Sequence, residues 1–108
     1  MLYIMTTNRQ NQQYSKQSKI IITRIKKDLE ELQFTSHCID DSYFSRWIDK
    51  PGFYQMEFSL NFLPHLIEIS TESENLVYTI PKSKKKWRTS WNEFMKKYKP
   101  IIKKYYDD

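Results

Sequence analysis

A thiol beside an imidazole is the first pairing in the chain with catalytic chemistry in it. Cys38 directly follows His37, and a base within hydrogen-bonding reach would turn a thiol into a nucleophile. Neighbours on a strand point to opposite faces, however, so the two cannot form a dyad if residues 35–39 are extended. Free cysteine is among the most frequently buried residue types, and a structural thiol in the core is the expectation for Cys38. His65 is solitary. Without third and fourth ligands at suitable spacing, Cys38, His37 and His65 make no zinc site, and no cofactor is implied.

The carboxylates divide into two groups. Asp40, Asp41 and Asp49 sit where turns are expected, and turn chemistry accounts for them. Glu57 and Glu68 fall on the outer faces of expected strands, where solvation accounts for them. An acid and base pair needs two carboxyl groups converging in a pocket, and nothing in the spacing points to one. The single glycine, Gly52, excludes the phosphate loops that need several glycines for close backbone approach. The expectation is a non-catalytic protein.

Charge is the strongest signal. Residues 82–108 carry ten cations, namely Lys82, Lys84, Lys85, Lys86, Arg88, Lys96, Lys97, Lys99, Lys103 and Lys104, against Glu93, Asp107 and Asp108, for a net +7. The rest of the chain has eight cations and ten acids, so the overall +5 arises wholly in this C-terminal quarter. Lys96, Lys97, Lys99, Lys103 and Lys104 lie towards the end of an expected helix, where cations interact well with the macrodipole, and a solvated face explains them. The Lys82–Arg88 group precedes the expected helix start, where cations are unfavourable and anions are favoured. Trp87, set among them, either anchors the segment to the core or stacks on a base; anchoring is favoured.

The elements that would hold these groups follow from periodicity. Residues 1–16 are polar and aperiodic after an apolar start, Met1 to Met5, and read as a flexible tail. Residues 17–108 form one domain, its size right for one hydrophobic core. Ile21, Ile22, Ile25, Leu29 and Leu32 recur at three- and four-residue intervals, the pattern of an amphipathic helix. Short strands are expected over 35–39 and 42–48, although Asp40 and Asp41 would equally cap a short helix in the second segment. Lys50, Pro51 and Gly52 signal a type II turn. Tyr54, Met56, Phe58, Leu60 and Phe62 then alternate with polar residues, as on a half-buried strand. Two more strands, over 65–70 and 75–80, are separated by the polar residues 71–74. Trp91, Phe94, Met95, Tyr98, Ile101, Ile102 and Tyr105 return to helical spacing, with Ser90 and Glu93 forming a capping box that places the start near Trp91. Pro100 inside this stripe predicts a bend or restart.

The fold expected is α+β: an N-terminal helix, an antiparallel meander of three to five strands, and a bent C-terminal helix, both helices on one face of the sheet. This order, with Arg24, Ile25, Lys26, Lys27, Asp28, Leu29, Glu30, Glu31 and Leu32 in the first helix, resembles the opening of ubiquitin-conjugating and RWD-type domains. No cysteine follows the strands where a conjugating enzyme carries its nucleophile. The resemblance therefore implies a non-catalytic, partner-binding relative.

A lone cysteine, with no signal-peptide pattern, predicts an intracellular protein, cytoplasmic or nuclear, and no run is long and apolar enough for a membrane span. The absence of alanine and abundance of lysine, isoleucine, tyrosine and asparagine suit an A/T-rich genome, as in viruses, phages, protists or low-GC bacteria. The first functional expectation is nucleic-acid binding through Lys82, Lys84, Lys85, Lys86, Trp87, Arg88, Lys96, Lys97, Lys99, Lys103 and Lys104. With nine lysines to one arginine, the contacts would be to phosphates and tolerant of sequence. The second is a protein-interaction module: a homodimer through an uncovered sheet face or strand edge, or an adaptor or inhibitor on an acidic partner.

Overall fold

The computed structural model describes residues 16–48 and 54–106. The expected tail, apart from Lys16, and the turn at Lys50, Pro51 and Gly52 lie outside them. Helix α1 (Lys16–Glu31) is followed by strands β1 (Thr35–Ser36), β2 (Tyr43–Ile48), β3 (Tyr54–Phe62), β4 (Leu66–Thr71) and β5 (Leu76–Pro81), then helix α2 (Lys86–Tyr106). The strands form one antiparallel sheet in sequence order. Both helices pack against it, giving the α+β arrangement the periodicities predicted.

Helix α1 buries Ile21, Ile22, Ile25 and Leu29, the stripe that recurs every three or four residues. Its end is built without glycine. Gln33 takes the left-handed conformation at φ 68°, the Phe34 amide donates to the Leu29 carbonyl at 2.9 Å, and the Gln33 amide donates to the Glu30 carbonyl at 2.9 Å. This paired reach-back is a Schellman closure, and the buried side chains of Leu29 and Phe34 supply its usual apolar partners. Arg46 of β2 completes the cap by donating from Nη1 to the Leu32 carbonyl at 3.1 Å.

Two expectations near the first turn are corrected. The strand expected over 35–39 ends at Ser36, because Asp41 (φ 56°) turns the chain and its amide donates to the Cys38 carbonyl at 3.0 Å. Cys38 consequently lies in the turn and is exposed. The thiol expected in the core is outside it, since the chain leaves the sheet two residues earlier. The segment after the aspartates is a strand, and Asp40 serves the turn by accepting from the Ser42 amide at 3.1 Å.

The strand register aligns one apolar face: Phe44 opposes Phe58, Leu60 opposes Ile69, and Ile67 opposes Ile80. Phe58 is fully buried at its centre. Its ring meets Phe44 and Trp91 edge-on with centroids 6.2 Å away, Phe94 at 5.7 Å and Tyr98 at 5.8 Å. Phe94 in turn stacks between Trp91 and Tyr98, at 5.6 and 5.3 Å. A polar link joins the helices over this aromatic layer: Asp28 Oδ2 accepts from Trp91 Nε1 at 2.6 Å and from Arg24 Nε at 2.9 Å. Buried indole donors require such a partner.

Helix α2 begins at Lys86, four residues before Ser90. The capping box at Ser90 and Glu93 therefore does not open the helix. Trp87 explains the earlier start, because helical geometry from Lys86 onwards puts it one turn before Trp91 and buries it at 2 % exposure in the same core. The helix runs through Pro100 without restarting, and Lys96, whose carbonyl loses its partner there, is exposed to water.

Removing the Phe58 ring leaves a cavity under three aromatic side chains, and Phe58→Ala is expected to lower unfolding free energy by about 3–5 kcal/mol in chemical denaturation. Tyr98 gives the opposite expectation. Its hydroxyl is buried with no hydrogen-bond partner among the described residues, and burial raises its pKa well above the usual tyrosine value. Tyr98→Phe should therefore leave stability unchanged or raise it by about 1–2 kcal/mol, read from the same denaturation midpoint.

Candidate nucleic-acid interface

The basic segment divides by burial. The Lys82 amide donates to the His65 carbonyl at 2.9 Å, and the residue is half-buried, with its ammonium pKa lowered by desolvation. Lys84 and Lys85 follow in a turn, Lys86 and Arg88 lie in the first turn of α2, and all four are exposed. Trp87 is a core residue. The Arg88 guanidinium lies over its ring at 5.3 Å, and its burial removes it from any stacking on a base. The expected loop from Lys82 to Arg88 is thus a short turn running into a helix.

The cations of α2 form two rows. At 3.6 residues per turn, Lys86, Lys97 and Lys104 project within roughly 20° of one another. Lys97 marks this row as the β5 side, with Nζ 5.8 Å from the Tyr78 ring. Arg88, Lys96, Lys99 and Lys103 project from the other flank, towards α1. Lys96 and Lys99 line a groove between the helices of about 430 Å³, with Arg24, Asp28 and Glu31 across it and Met95 and Leu32 among its walls. Arg24 reaches over to Asn92, donating from Nη2 at 3.3 Å. From Lys86 to Lys104 the basic surface extends about 27 Å along the axis.

These charges have little internal compensation. The two ion pairs among the described residues, Arg24–Asp28 at 2.9 Å and Lys26–Asp41 at 3.3 Å, use none of them. The first turn of α2 contains no acidic residue, so the positive end of its dipole meets further positive charge. Glu93 accepts a hydrogen bond from the Tyr78 hydroxyl at 3.2 Å, which helps raise that phenol's pKa after the larger effect of burial.

The opposite face of the sheet holds side chains whose association the sequence did not reveal. His37 Nε2 lies 2.5 Å from Ser45 Oγ, so the imidazole is joined to β2 and not to Cys38. Ser45 opposes Glu57, and the Ser73 hydroxyl donates to the Gln55 carbonyl at 2.8 Å, drawing the β4–β5 turn against β3. Glu72 is thereby brought to Glu57. The two carboxyl groups share a hydrogen bond, with Glu57 lowered in pKa and Glu72 raised. The Tyr43 phenol is pushed up to about 12, first by desolvation and then by its hydrogen bond to Glu57. Register was the missing signal, since residues 57 and 72 meet only once β3 and β4 are aligned. Among the described residues, no three His, Cys, Asp or Glu side chains converge to hold a metal ion, and no helix is long and apolar enough to cross a membrane.

No protein-family model matches the chain, and no curated protein or solved structure matches it.

The carboxylate pair gives a pH signature with a definite sign. Glu72 binds its proton more tightly in the folded protein, so its contribution to stability is present at low pH and lost as pH rises through its raised pKa. The depressed Glu57 contributes above the ordinary glutamate range and loses that contribution on acidification. In a side-chain carboxyl NMR titration, Glu72 should therefore protonate first on acidification and Glu57 only at lower pH. Glu72→Ala should return Glu57 towards its ordinary value.

Proposed function

We propose that the protein binds nucleic acid without catalysis, through phosphate contacts from Lys84, Lys85, Lys86 and Arg88 that continue along α2 to Lys96, Lys97, Lys99, Lys103 and Lys104. The observation carrying this reading is the exposed row of cations at the start of α2, where no acidic side chain offsets them and the helix dipole opposes them. An external polyanion reverses both penalties, because phosphates pair with lysine and also suit helix N-terminal amides. Lysine in place of arginine supplies charge without the bidentate fork that reads guanine. The contacts should therefore be insensitive to base sequence. A surface of about 27 Å along the helix covers roughly eight base pairs of duplex at 3.4 Å each.

Fluorescence anisotropy with labelled single- and double-stranded oligonucleotides at several salt concentrations tests this. Nine phosphate contacts on duplex DNA, one for each of these cations, give a slope of about −8 in a plot of log affinity against log salt. The triple variant Lys84→Glu, Lys85→Glu, Lys86→Glu should weaken binding to every sequence alike and reduce the slope by about 3. Affinity for both strand forms that is unchanged in this variant would refute the proposal.

A further inference from the structure

The face of the sheet turned away from the helices has an electrostatic character opposite to the rest of the molecule. Its outward positions include Glu57 and Glu68, joined at the rim by Glu72, and among the described residues it carries no lysine or arginine. In a chain of net charge +5 this is a segregated acidic surface. Two large apolar side chains stand on it in water, Trp47 at 65 % and Val77 at 63 % exposure. Alternation along β2 and β5 accounts for their orientation, since Phe44 and Ile48 take the buried side of β2 and Ile80 that of β5.

We propose that this sheet face receives a second copy of the same chain, which docks the cations at the start of its α2 against Glu57, Glu68 and Glu72 and over the ring of Trp47. The molecule itself carries the complementary surface: Lys84, Lys85, Lys86 and Arg88 are exposed, unpaired with any described carboxylate, and on the helical side. Tryptophan is the strongest aromatic partner for a cation and the residue most enriched at interface centres. A symmetric dimer of two sheet faces would set Glu57, Glu68 and Glu72 of each copy against the same acids of the other, so like charge opposes it. A head-to-tail contact brings unlike charge together. Because it uses two different patches, each docked copy still offers one free face and one free cluster, and assembly extends as an open chain and does not close at two.

Sedimentation velocity on nucleic-acid-free protein decides the matter. The measurement contains no oligonucleotide, so its outcome is separate from that of the nucleic-acid reading, although the same cations serve both. At about 0.01 M salt, where screening is weak, the weight-average mass should rise about twofold or more with concentration, without a plateau at the dimer, and fall to the monomer near 1 M salt. A face variant, Trp47→Ala with Glu57→Gln and Glu68→Gln, should remain monomeric, as should the helix variant Lys84→Glu, Lys85→Glu, Lys86→Glu. Mixed in equal amounts, the two should form a one-to-one complex and nothing larger, because the first keeps its cations and the second keeps its acidic face.

Wild-type protein that is monomeric at low salt, a closed dimer, or a mixture that stays monomeric would each overturn the proposal. If the wild type stays monomeric while a polylysine peptide shifts its tryptophan fluorescence, and Trp47→Ala abolishes that shift, the face serves a different basic partner and the second copy is ruled out.

Discussion

The aromatic layer between Phe58 and α2 is the interaction on which the remainder of the structure rests. Phe58 lies at the middle of the central strand, and Trp91, Phe94 and Tyr98 reach it from successive turns of one helix face. A chain with no alanine and one glycine must fill its core with large side chains, and rings of this size tolerate few relative positions. Placing them sets the height and direction of α2. The Asp28 bridge to Trp91 then ties α1 to the same layer.

Charge segregation follows from that placement. Once one side of α2 is committed to aromatic burial, its lysines can only lie along the two flanks and the outer surface, and they accumulate on the helical side of the molecule. The sheet's free face is left with glutamates, hydroxyls, the exposed ring of Trp47 and the ring of Tyr43, which packs on His37. The resulting polarity is a property of the fold as much as of composition, because a net count of +5 contains no hint of an acidic face. Long-range attraction between unlike faces requires low ionic strength, as charges separated by more than about 10 Å are screened at 0.1 M salt.

The elements themselves were legible in the residue pattern. Period-two alternation from Tyr54 to Phe62 identified β3, and three- and four-residue spacing identified both helices, since burial on one side leaves these periods in any sequence. Boundaries were less accessible. Ser90 and Glu93 satisfy the local chemistry of a helix start, yet α2 begins at Lys86 because burial of Trp87 outweighs a cap worth about 1 kcal/mol. Cys38 was misplaced for a related reason: its composition favours the core, but the turn at Asp41 takes it out of the sheet.

The sequence by itself determined the amphipathic elements, their antiparallel order and the concentration of cations in the last quarter, all of which depend on neighbours within a few positions. Tertiary structure decided which of those cations face solvent, that Trp87 belongs to the core, and that Glu57 and Glu72, fifteen positions apart, meet in a hydrogen bond on the open face. The reason is register. Local periodicity fixes the side of a strand on which a residue lies, but the residue it meets across the ladder depends on how many positions each turn consumes, and that is settled only when the strands pair.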